Sequence, residues 1–278
     1  MRICRTAFVA LVAAVLVAPA LAQVPATTQK PAPPPEDIGF DAVPPRTIDV
    51  LSFADAQIDK LLSTLDMLLA RQPDPKKWAA DGNIHFWRLM NRLQIGVLSA
   101  KQEEKVLAHF DALEKAHPEE KKFLDVQRET VRTQMIGKVA KDIVGKDYDN
   151  VEFKLSDYRG KVVVLYFTGQ WCGPCRGEYP YQRLMLEVHK DKPFAIVGVN
   201  SDDKLETAKK AKIDNKLDYR SWWDGYVEKK NTDGPIATAW NVTGWPSIYL
   251  LDAKGVIRFV NLRQEDVLKG VSQLLEKR

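Results

Sequence analysis

Apolar residues at Ile58, Leu61, Leu62, Leu65, Leu68 and Leu69 recur at the three-and-four spacing that lines one face of a helix. Ser52 is placed to cap this helix, with Asp55 in its first turn. Pro73 and Pro75 break the pattern. Phe86, Met90, Leu93 and Val97 predict a second helix. Ser99 and Gln102 have capping-box spacing and open a third, with Val106, Leu107, Phe110 and Leu113 inward. Pro118 suits the first turn of a fourth helix running to about Met135.

At Gly137 the period changes. Residues 161–168 form a β-rich apolar run, predicted to be a central strand buried on both faces. Residues 172–189 read as a helix, 194–200 as a second buried strand, and 201 to about 215 as another helix. Strands over 247–251 and 256–260 flank Asp252-Ala253-Lys254-Gly255, a hairpin signal. Residues 264–277 close the chain as an amphipathic helix. The expected class is α/β, a thioredoxin-like central mixed sheet flanked by helices, preceded by a small all-helical domain.

The first residues follow another logic. Arg2 and Arg5 precede an unbroken apolar run over 7–18, and Ala20-Leu21-Ala22 is a small-x-small cleavage site. The run is short for a membrane span. The expectation is a signal peptide over 1–22, no stable membrane insertion after its removal, and export to the periplasm or cell envelope. Residues 23–47 carry seven prolines, from Pro25 to Pro45, and read as an extended linker. The expected domains are then 48–136, helical, and 137–278, thioredoxin-like.

Composition adds limits. The 278 residues, 45% hydrophobic and 28% charged, fit an ordinary globular protein. The formal charge of +4 falls to +2 once Arg2 and Arg5 leave, too little for a nucleic-acid footprint. Of three cysteines, Cys4 leaves with the signal, so Cys172 and Cys175 remain. A bridge across so short a loop restrains the unfolded chain little, so the pair is read as chemical rather than structural.

Trp171-Cys172-Gly173-Pro174-Cys175 lies between a buried strand and a helix. Cys172 is expected to be exposed at the helix start, where unpaired N–H groups and the dipole favour a thiolate. Cys175 lies one turn on, within reach for a bridge. Pro174 loses no N–H in the first turn. The thiolate attacks a substrate disulfide, and the second sulfur resolves the mixed disulfide. No nicotinamide or flavin fingerprint is present, so no cofactor is expected and electrons come from an upstream dithiol protein.

Over about 136–278 the sequence resembles exported thioredoxins of the TlpA/ResA type. The resemblance rests on Gly137-Lys138-x-Ala140, on 155–161, on the Cys-x-x-Cys with Glu178-x-Pro180, and on Gly244-Trp245-Pro246-Ser247. It implies that Pro246 is a cis-proline facing the dithiol and that Glu178 accepts the proton of Cys175. It also implies that Trp171, Gly173, Pro174, Trp245 and Pro246 meet the substrate, a protein disulfide or dithiol. Two positions depart from the pattern. Tyr166 stands where thioredoxin carries an acid six residues before its first cysteine, and Trp245 replaces a smaller residue.

Rival readings fit less well. Haem attachment needs a histidine after the second cysteine, and Arg176 stands there. His85, His109 and His117 lie in the helical stretch and His189 at the far end of the active-site helix, so no metal is expected. A peroxidatic site would carry Thr and Pro three and seven residues before Cys172, where Gly169 and Leu165 stand. A peroxiredoxin-like peroxidase and a redox-latched partner-binding protein remain the alternatives. Trp222, Trp223 and Trp240 read as core packing, with some of them as candidates for an apolar rim beside Trp171 and Trp245. The lysine-rich stretch 204–216 reads as a solvated face.

Overall fold

A computed structural model describes residues 51–70, 84–227 and 232–277. The expected signal peptide, the linker, Cys4, and the break at Pro73 and Pro75 lie outside these residues.

The helical stripe predicted over 58–69 is α1 (Asp55–Ala70), and all six apolar positions are buried. Ser52 does not cap it. Ser52 lies in a two-residue strand, β1 (Leu51–Ser52), and the side chain of Gln57 accepts the Ala54 N–H instead. The second helix, α2 (Ile84–Gln94), stops before Val97. Val97 belongs to β2 (Gly96–Val97), which pairs parallel with β1 and leaves Val97 39% exposed. Helical spacing continued through Val97, but the partner strand is distant in sequence and invisible to periodicity.

The capping box at Ser99 and Gln102 opens α3 (Ala100–Ala116) with both reciprocal bonds present. Gln102 Nε2 also donates to Phe53 O and Asp55 Oδ1, tying α3 to the start of α1. Pro118 begins a 3₁₀ turn over Pro118–Glu120 rather than an α-helix, and α4 (Lys121–Thr133) follows. Phe86, Leu93, Val106, Phe110 and Leu124 fill the space between these helices.

A small hairpin, β3 (Val144–Lys146) with β4 (Glu152–Lys154), leads into the main sheet. Its centre is β5 (Val162–Thr168), buried at all seven positions. The chain then runs through α5 (Gly173–Gly177), α6 (Tyr179–Val188), β6 (Phe194–Asn200), α7 (Leu205–Asp214) and β7 (Arg220–Trp223). A short pair, β8 (Tyr226–Val227) and β9 (Thr232–Asp233), precedes α8 (Pro235–Ala239), β10 (Ser247–Leu251), β11 (Ile257–Val260) and α9 (Glu265–Glu276).

The sheet order is β11-β10-β5-β6-β7, with β5, β6 and β7 parallel and β10 antiparallel to both its neighbours. Alternate residues of β5 serve two cores. Val163, Leu165 and Phe167 face Phe153, Trp222 and Trp240; Val162, Val164 and Tyr166 face Tyr179, Met185, Val267 and Val271. This is a thioredoxin-like mixed sheet flanked by helices.

Two expectations change here. The helix read over 172–189 is two helices, with Glu178 between them. Pro180 has no N–H to offer the carbonyl four residues back, which breaks the ladder there. The helix read from 201 begins only at Leu205, leaving Asn200, Ser201 and Asp202 as a polar end to β6. β7 was not legible as a strand.

Polar contacts join the helical segment to the α/β segment. Asn241 Nδ2 donates to Gln127 Oε1 and Thr130 Oγ1, Asn261 Nδ2 donates to Asn91 Oδ1, and Lys138 pairs with Glu103.

Candidate active site

The parallel strands β5 and β6 end side by side, and the loops that follow them meet. Residues 169–172 leave β5 and deliver Cys172 to the first position outside α5. Cys172 is the N-cap, and its Sγ accepts the Cys175 N–H at 3.1 Å. That bond takes up one of the N–H groups a helix start leaves free. Cys172 and Cys175 are joined by a disulfide, with Cα atoms 5.2 Å apart.

Cys172 was expected to be exposed, yet in the disulfide form it is only 5% exposed, and Cys175 1%. Trp171 is 53% exposed and meets Trp245 at a ring-centroid distance of 5.5 Å. Its indole folds back over Gly169, where a Cβ would come within 2.5 Å of Trp171 Nε1. Trp245 is half-buried against the core that holds Val242 and Trp240. The Trp245–Pro246 peptide is cis, and Arg263 Nη2 donates to Pro246 O at 2.6 Å. Gly173 and Pro174 are exposed at the helix start.

The other tryptophans divide. Trp222 and Trp240 are core residues, at 0% and 1% exposure. Trp223 is exposed, and its Nε1–H donates to Asp202 O. Trp223 thus remains a rim candidate, and Trp222 and Trp240 do not.

Glu178 is buried between α5 and α6, at 2% exposure, so it is no surface charge. Its Oε2 accepts the Gln264 N–H at 2.9 Å, and its own N–H bonds to Cys175 O. Tyr166 lies beneath, fully buried; burial first, and then the Glu178 charge, push its phenol well above the usual range.

Sequence reasoning missed Asp202. It is 1% exposed, its Oδ1 accepts the Gln170 N–H at 2.6 Å, and burial raises its carboxyl above the usual range. The available signal was a polar Asn-Ser-Asp triplet at the carboxyl end of a buried parallel strand, where α/β proteins place their sites. Among the described residues no group of three or more His, Cys, Asp or Glu could hold a metal ion, and no helix is long and apolar enough to cross a membrane.

The model of the AhpC/TSA family matches residues 136–260. The thiol–disulfide oxidoreductase ResA of Geobacillus kaustophilus is 30% identical over 143 residues, covering 50% of this chain and 78% of ResA. The thioredoxin-like protein YneN of Bacillus subtilis is 34% identical over 128 residues, covering 45% of this chain and 71% of YneN. Among solved structures, the thioredoxin domain of a Bacteroides vulgatus thiol–disulfide oxidoreductase is 30% identical at a TM-score of 0.45, covering 50% of this chain and 97% of that one. The matched segment holds the bonded cysteine pair, so the chain belongs to the TlpA/ResA-type thioredoxin-like family and is a disulfide oxidoreductase.

Proposed function

We propose that the protein is an exported reductase of protein disulfides, with Cys172 as nucleophile and Cys175 as resolving thiol. One observation carries this reading: two bonded cysteines at a helix start, with an N–H directed at the first sulfur. In the reduced enzyme that N–H and the helix dipole stabilise a Cys172 thiolate.

The Cys172 thiolate attacks one sulfur of a substrate disulfide. A Cys172–substrate bond forms, the substrate bond breaks, and one substrate thiolate leaves. Cys175 gives its proton to Glu178 and attacks Cys172 Sγ, which releases the second substrate thiolate. The enzyme ends as the observed disulfide and takes two electrons from an upstream dithiol protein. Trp171, Gly173, Pro174 and Trp245 form the surface on which the substrate polypeptide docks, with Pro246 buried beside Trp245. The residues beyond 136 do the exchange in the periplasm or cell envelope, and the helical domain over 48–136 packs beside them.

The direction is tested by equilibrating the pair with glutathione. A reductase requires a potential below about −220 mV; a value above about −150 mV, towards that of strong oxidants, overturns the reductive assignment.

Glu178 is tested by Glu178→Gln. The amide keeps an acceptor for the Gln264 N–H and loses the proton acceptor. Resolution of a mixed disulfide should slow about 100-fold near pH 7 and recover at alkaline pH, where Cys175 ionises unaided. A loss equal at every pH would remove Glu178 from the proton path.

A further inference from the structure

The loop that ends β6 clasps the turn that presents Cys172. We propose that Asp202 is a positioning residue for disulfide exchange, whose buried carboxylate holds the backbone before Cys172 and whose charge restrains ionisation of that thiol. This rests on the reading of Cys172 as nucleophile.

The clasp has three strands of contact. Asp202 Oδ1 accepts the Gln170 N–H at 2.6 Å, and the Trp171 N–H is also directed at the carboxylate. Ser201 O accepts the Trp171 indole N–H at 3.2 Å, and Asp202 O accepts that of Trp223 at 2.9 Å. Asn200 locks the loop itself: its Nδ2 donates to Asp202 Oδ2, and its Oδ1 accepts the Asp202 N–H. Three consecutive residues therefore fix both the turn and two indoles of the exposed rim.

The charge has its own role. The hydrogen bonds on the carboxylate come from neutral amides; the titratable groups facing it are the Tyr148 and Tyr179 phenols and Asp203, and the cation on the same turn, Arg176, donates to Gln170 O. A neutral amide at 202 would accept the Gln170 N–H at a smaller desolvation cost. A buried anion in a low-dielectric site acts on neighbouring ionisations, and Cys172 follows Gln170 by two residues. There it opposes the helix start. A thiolate stabilised too far makes the couple oxidising, so Asp202 keeps the pair reducing.

The test titrates the Cys172 thiolate by its ultraviolet absorbance in reduced full-length protein, beside the glutathione potential. Asp202→Asn keeps the acceptor and removes the charge. Chain geometry puts the two groups roughly 7–10 Å apart, so the thiol pKa should fall by about one unit and the couple become more oxidising. Asp202→Glu should stay near wild type. Asp202→Ser is the second neutral variant if the amide does not fold. A folded neutral variant with wild-type thiol pKa and potential overturns the proposal, since a merely structural residue would move the melting temperature alone. If wild-type Cys172 is inert to small disulfides, the nucleophile assignment fails first, which separates the two failures.

Discussion

Replacing Cys172 by serine should leave the protein folded and lower insulin-disulfide reduction by about a thousandfold or more. The nucleophile in exchange is a thiolate, and a serine hydroxyl has no comparable anion near neutral pH. The fold should survive because the lost bridge closes a loop of three residues in sequence, too short to restrain the unfolded chain much. Near-UV circular dichroism checks that point. Cys175→Ser should behave differently: attack still occurs and the reaction stops at a mixed disulfide, visible as a reducible adduct with insulin. A Cys172→Ser protein that kept a tenth of the activity would end the nucleophile assignment. A variant that lost reduction but bound an envelope partner only in one redox state would favour the latch reading instead. Rapid hydrogen-peroxide turnover by wild type, matching its disulfide turnover, would favour the peroxidase.

The two sulfurs act in different surroundings. Cys172 sits at a turn clasped by the β6 loop and edged by Trp171 and Trp245. Cys175 sits deeper, on a short helix whose last turn passes into the buried Glu178. On the proposed reading a substrate approaches over the exposed Trp171 and the half-buried Trp245, while Cys175 and Glu178 lie below, at 1% and 2% exposure. In the proposed cycle Cys172, the less buried of the two, attacks first and Cys175 resolves, since access decides which sulfur exchanges first. Reduction must also expose or shift the sulfur, because only 5% of Cys172 is exposed when bonded.

What the sequence made legible depended on how local the cause was. The seven-residue run of β5 announces itself because both its faces are buried. The capping box at Ser99 is legible because its partners are three residues apart. Where the deciding partner is remote, periodicity misleads. Val97 keeps the helical spacing, yet pairing with Leu51–Ser52 draws it into a strand. The active-site helix breaks at a proline that reads as an ordinary first-turn residue once Tyr179 opens α6. The cysteine pair was legible from its spacing, and the resemblance singled out Glu178, which the structure buries. Asp202 was not, because its role comes from β5 and β6 ending side by side, with 32 residues between it and Gln170.

The same limit hid β7 and supplies the largest stability effect. Arg220–Trp223 is four residues long, and its tryptophans suggested packing but not a strand. Trp222 is fully buried and stacks on Phe153 with ring centroids 4.1 Å apart. Its Nε1 donates to Phe153 O, so the indole's one polar atom is satisfied. Gly145 passes so close that a Cβ there would lie 2.9 Å from the ring, which leaves little room for collapse. Trp222→Ala should therefore cost about 4 kcal/mol, the transfer of a large ring to water plus a cavity that β3 and β4 cannot close. For a chain of this size that lowers the melting temperature by roughly 8–16 °C. Trp223→Ala, one residue on and facing the rim, should cost under about 1 kcal/mol and act on substrate binding instead. Equal melting temperatures for the two variants would mean that Trp222 does not hold the β3–β4 hairpin against the sheet.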